Sequence, residues 1–382
     1  MNIFRTLCIL YRQRNIRKRI FADGYVQGED HMKKSLKICL LCGLLALLAV
    51  GYGTGGESLT AEIASRTYTP ADEPAAVSAE NTASYIRWID FTVTAKALRD
   101  TLHADVAAYE RGEQMSWITL LALLAAENGG DFSGYKSGQT ERLVARLRAG
   151  ELPTDIAVNK RLYAYYTEAY SAVLGGMVGP YTAVSVSADG TKEEQKCYGL
   201  RVFSPIAAGY SYTDYDDFGA ARSYGYKRTH LGHDIMGSIG TPVVAIESGY
   251  VEHCGWNQYG GWRIGIRSFD GKRYYYYAHL RKGHPYNDMY EGKYVNAGEV
   301  IGYLGMTGYS AREDVNGINL PHLHAGLQII FDASQIDGWN QIWVDLHALT
   351  EFWSVNRVRT VPDAAGKERV SRVFYRYPET PD

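Results

Sequence analysis

Cysteine is scarce in this chain, with five scattered residues in 382. That excludes a small scaffold stapled by disulfides. A charge excess is missing too: 40 Lys and Arg face 42 Asp and Glu, a formal net charge of −2. Nucleic-acid binders normally carry a large basic surplus, so that class is set aside. No internal repeat of roughly 20 to 50 residues is present, which removes solenoids and propellers. Phenylalanine is sparse at 10, whereas tyrosine reaches 31. Tyrosine at that level suits strands and wet aromatic binding surfaces. With 46% hydrophobic residues, 40 Gly and 11 Pro, the chain is neither disordered nor collagen-like.

The charge is unevenly spread. The first 37 residues hold nine Lys or Arg and three acids, so +6 precedes −8. Residues 1–34 read as a basic cytoplasmic segment. Residues 35–54 contain ICLLCGLLALLAV and read as a membrane anchor or a signal segment. Met32-Lys33-Lys34 looks like a signal start, leaving Met1 and Met32 as alternative beginnings. The positive-inside rule then places everything after residue 56 outside the cytoplasm. Cys39 and Cys42 lie within the apolar run and read as small hydrophobes. Residues 55–84, polar and small with two prolines, read as a flexible linker.

Residues 85–180 turn helical. Leu98, Leu102, Val106 and Tyr109 share one helical face, and Met115 to Ala126 is an uncharged run that Asn128-Gly129-Gly130 should stop. Leu143 and Leu147 mark another helix, and Arg161 to Leu174 a further one ended by Gly175-Gly176. Glu127 in AAENGG loosely matches the catalytic Glu at a helix end in lytic transglycosylases and goose-type lysozymes, but an ordinary helix-end carboxylate is the commoner explanation. Residues 199–331 hold short β-branched and aromatic runs between Gly, Asp and Asn turns, an antiparallel β domain. Residues 332–382 read as one amphipathic helix, bearing a structural His347, and a tail. The expected class is α+β overall: a membrane segment, a small all-α domain, then an all-β antiparallel domain.

Eight of the ten histidines fall between residues 230 and 347. His230 and Asp234 stand four apart in HLGHD. His322 and His324 alternate onto one face of PHLHAGLQII, whose other face (Leu323, Ala325, Leu327, Ile329) is apolar. His279 ends YYYYAHL and shares an expected face with Tyr275 and Tyr277. A His/Asp/His trio suits a zinc site with an open fourth position, and further histidines suit proton transfer.

Residues from about 203 to 331 resemble the lysostaphin-type, or LytM-like, zinc peptidases of peptidoglycan. HLGHD followed by GTPVVAIESGYV, then YYYYAHL, then NAGEVIGYLGMTGYS leading into PHLHAGLQ, fall in the family's order. The resemblance implies Zn2+ held by His230, Asp234 and His324, with His279 and His322 as catalytic histidines. It implies an endopeptidase acting on peptidoglycan peptides outside the membrane, single-pass, or secreted if the apolar segment is cut. A catalytically silent scaffold of the same fold, as in sporulation, and a two-headed wall hydrolase using Glu127 are the rivals. Residues 311–320 look inserted beside the groove. His233 reads as supporting or surface, and His253 and Cys254 as groove rim. Trp256, Tyr259, Trp262, Tyr303 and Tyr309 are either groove walls or packing residues, and a Cys197–Cys254 disulfide stays open.

Overall fold

The computed structural model describes residues 87–89 and 91–381 apart from 188, 224–226, 332–334 and 337–340. The expected basic segment 1–34, membrane segment 35–54 and linker 55–84 lie outside the described residues. Among the described residues, no helix is long and apolar enough to cross a membrane.

Five helices follow one another: α1 (Ala95–Glu110), α2 (Trp117–Asn128), α3 (Ser137–Arg148), α4 (Pro153–Ile156) and α5 (Lys160–Leu174). The Thr94 hydroxyl caps α1 by accepting from the Ala97 N–H at 3.3 Å. Gly129 ends α2 at φ 64°, a left-handed turn that costs glycine nothing. Leu120 to Ala125 are buried on every side of α2. A helix that is apolar all round needs cover all round, and α1, α3 and α5 pack against it. In α1 the buried face runs through Leu98, Leu102, Asp105 and Ala108. Tyr109, expected on that face, projects past the core and stacks flat on Tyr198 at 3.8 Å between ring centres.

The main sheet has nine strands. They are β1 (Arg87–Ile89), β2 (Tyr212–Asp214), β3 (His233–Gly237), β4 (Gly249–Asn257), β5 (Gly261–Ser268), β6 (Arg273–Ala278), β7 (Tyr294–Val295), β8 (His322–Ile329) and β9 (Ile342–Val344). The order is β1-β9-β8-β6-β5-β4-β7, with β3 pairing β8 and β2 pairing β3. Every pairing is antiparallel except β1 with β9. The expected tail helix is present as α6 (His347–Trp353), and the tail also supplies short strands, of which Val373–Arg376 extends the hairpin Val178–Val186/Lys192–Leu200.

Helices and sheet share one apolar core, running from Leu98 and Leu120 through Ile246 and Tyr275 to Leu327 and Trp353. Both lie in one compact unit, Ala79–Asp382. At the junction sits a buried ion pair. Arg273 on β6 grips Glu247 with two bonds of 2.9 and 3.0 Å, and the Tyr275 hydroxyl donates to Glu247 at 2.7 Å. Burial alone would lower the Arg273 pKa, but Glu247 beside it holds the guanidinium charged. Gly176, just after α5, comes so close that a Cβ there would lie 2.3 Å from Arg273 Nη2.

Candidate metal centre and groove

The register of β8 against β3 places His324 opposite Asp234 and His322 opposite Met236. Alternation then turns His322 and His324 towards the groove and Leu323, Ala325 and Leu327 into the core. His230 precedes β3 and completes a triangle. Its Nε2 lies 2.8 Å from His324 Nδ1, and Asp234 Oδ1 lies 3.1 Å from each of those nitrogens. Ligands around a tetrahedral Zn2+ at about 2.0–2.1 Å stand roughly 3.3 Å apart, so these donors fit that ion. The tautomer fits as well. His230 Nδ1 donates to the Asp217 carbonyl at 3.0 Å, which makes Nε2 the nitrogen that would give up its proton to an ion. Gly232 makes room for the third ligand, because a Cβ there would lie 2.3 Å from the His324 ring.

Charge reinforces the arrangement. Burial would push the Asp234 carboxyl up, yet His230 and His324 drive it far below the ordinary range. Burial would lower His230, but Asp217 and Asp234 raise it to about 9. His324 is lowered, chiefly by burial. Arg222 holds the second oxygen of Asp234 at 3.1 Å and Asp217 at 2.6 Å, which aims Asp234 Oδ1 at the histidines. Asp217 and Arg222 carry no motif in the sequence. The acidic run TDYDDF, which contains Asp217, is the one signal that could have pointed to it.

His279 corrects one expectation. Tyr275 and Tyr277 face the core, where the Ile246 N–H donates to the Tyr277 hydroxyl at 2.9 Å. His279 faces the groove instead, since its own backbone has φ 60° and breaks the strand alternation after Ala278. That left-handed conformation is uncommon for a side-chain-bearing residue. It is held by the His279 N–H donating to the Gly260 carbonyl at 2.7 Å. His279 Nδ1 donates to the Thr307 carbonyl at 2.9 Å, and His322 Nδ1 to the Leu320 carbonyl at 2.8 Å. Each therefore presents Nε2 to the groove, with ring centres 4.8 Å apart. Burial, then His322 and His324, pushes the His279 pKa well down, so its imidazole is neutral.

The groove measures about 650 Å³. Residues 317–320, from the expected insertion, line one part of it, as do Tyr259, Tyr309 and His253. Trp256, Trp262 and Tyr303 are outside its lining; Trp262 packs between Trp256 and Tyr286, and Tyr303 is buried under Arg281. Among the described residues, Asp234 is the one carboxylate of the lining, beside Arg222, Arg228 and Arg263. Glu127 lies outside the groove, ion-paired with Arg142 at 2.6 Å. Cys197 and Cys254 are free thiols, so the disulfide left open above is not formed.

Residues 228–337 match the family described as Peptidase family M23. The chain is 42% identical over 126 residues to the L-Ala–D-Glu endopeptidase of Bacillus subtilis (strain 168), covering 32% of this chain and 36% of that protein. It is 45% identical over 96 residues to the lysostaphin of Staphylococcus simulans, covering 25% of this chain and 17% of that protein. The chain thus spans 36% of the first of these relatives and 17% of the second. A solved structure of a putative glycyl-glycine endopeptidase LytM from Ruminococcus gnavus is 22% identical, with a TM-score of 0.45, over 73% of this chain and 94% of that one.

Proposed function

From the premise that residues 228–337 form a domain of peptidase family M23, we propose that the protein is a zinc-dependent endopeptidase of peptidoglycan peptides working outside the cytoplasmic membrane. The observation that carries this reading is the convergence of five side chains on one groove: His230, Asp234 and His324 as ligands, His279 and His322 beside them. Zn2+ held there would supply a Lewis acid for the scissile carbonyl and lower the pKa of water towards about 7.

The chain's own groups do the rest. With Nδ1–H committed to backbone carbonyls, the Nε2 atoms of His279 and His322 are acceptors. They orient the attacking water and take its proton. Once protonated, the same nitrogens donate to the developing oxyanion or the departing amine. Arg228 and Arg263 line the groove, and guanidinium groups there favour a peptide bearing free carboxylates over an uncharged bridge.

The zinc-loaded protein, incubated with purified muropeptides, should yield cleaved fragments by mass spectrometry. His279→Ala should keep its metal and lose about 10²-fold or more in rate. Intact muropeptides from a metal-loaded wild type would instead leave a wall-binding scaffold. Arg228→Gln should raise KM about tenfold for a carboxylate-bearing stem peptide, consistent with loss of one charge-assisted bond. The KM for an uncharged glycine peptide should stay the same.

A further inference from the structure

We propose that Asp214, His233 and His347 form a second divalent-metal site, on the face of β3 opposite the first. Neighbouring residues of a strand point to opposite faces, so His233 turns away from the groove that Asp234 enters. Asp214 comes from β2, which pairs with β3, and His347 opens α6. One nitrogen of each histidine and one Asp214 oxygen all lie within 4.8 Å of one another. The His233 and His347 ring centres are 5.4 Å apart. Two imidazoles and a carboxylate are the donor set of a first-row ion such as Zn2+.

The hydrogen bonding within the cluster is incomplete without a cation. His233 is fully buried, and its Nε2 contacts Asp214 Oδ1. Its Nδ1 is buried with no hydrogen-bond partner, and so is His347 Nδ1. A proton on Nε2 for Asp214 strips Nδ1 of its own, leaving a lone pair among groups that donate nothing to it. A metal on Nε2 reverses this. Nδ1 would then carry the proton, with the Asp217 carboxylate next to it, its Oδ1 4.0 Å away. Asp214 is already oriented for ligation, its other oxygen accepting from the Thr350 hydroxyl at 2.8 Å. Asp217 would stand between the centres, since it also accepts from the Asp234 N–H at 3.2 Å. An ion here would staple β2, β3 and α6 together directly behind the ligand strand of the first site.

The test is metal stoichiometry of the full chain after loading with Zn2+ and desalting, read by elemental analysis. We expect two equivalents in the wild type and one each in His324→Ala and His347→Ala. The double variant should hold none. Because the two sites are removed separately, loss of the first reading does not disturb the second. If His347→Ala fails to fold, the near-isosteric Asp214→Asn supplies the same comparison. Zinc should also raise the unfolding temperature of His324→Ala by several degrees, and not that of the double variant. A single equivalent in the wild type that His324→Ala removes, or metal retained undiminished in both His347→Ala and Asp214→Asn, would overturn the proposal.

Discussion

Replacing His324 with alanine is expected to remove the groove metal and with it all measurable hydrolysis. Nδ1 of His324 stands 2.8 Å from His230 Nε2 and 3.1 Å from Asp234 Oδ1, so its loss opens one edge of the ligand triangle. Lewis-acid stabilisation is worth several kcal/mol, so the rate should fall by at least about 10³-fold. Muropeptide turnover and bound zinc should disappear together. The fold should survive, since Gly232, which the ring now presses against, only gains room. Activity retained in metal-free His324→Ala would sink the assignment of the ligand set.

The largest loss of stability is expected outside that groove's lining, at Glu247. Alanine there would remove the bidentate partner of the buried Arg273, leaving it the more exposed Asp270 at 3.0 Å, and would strip Tyr275 of its acceptor. Breaking a buried pair by removing one partner costs about 3–5 kcal/mol. For a unit of this size that is a fall of roughly 10 °C in Tm. Glu127→Ala is the control: it breaks a 2.6 Å ion pair with a half-exposed arginine, worth less than about 1 kcal/mol. Thermal unfolding of the two variants side by side separates the cases. Equal shifts would show that the pair at the helix–sheet junction carries no special weight.

The site was legible where spacing along one strand decides geometry. Two-residue alternation places His322 and His324 together, and the His230–Asp234 interval is short enough for one turn into a strand to close it. His279 shows the limit of that reasoning. Its partners could be named, but the pleat pointed it at the wrong face, because a φ of 60° leaves no trace in the hydrophobic pattern. Asp217 and Arg222 escaped for a different cause: they reach the site from a loop and a two-residue strand, through contacts that no periodicity encodes. The trio of Asp214, His233 and His347 is assembled from three segments by strand pairing and helix docking. Helix positions were readable from apolar runs and glycine stops. What those runs pack against was not, since an all-round apolar helix says only that something must cover it.

The parallel pairing of β1 with β9 has a consequence for how the folded unit can be severed. Arg87–Ile89, where the chain enters the sheet, is laddered to Ile342–Val344, which follows the strand carrying His322 and His324. A protease nick in a loop between α1 and β8 would leave two fragments still held by a common core and by that ladder. Proteolysis alone would therefore not shed a free groove-bearing half. Release of the intact folded unit from whatever precedes residue 87 calls for a cut upstream of β1, and a cut just behind it would strip an edge strand from the sheet.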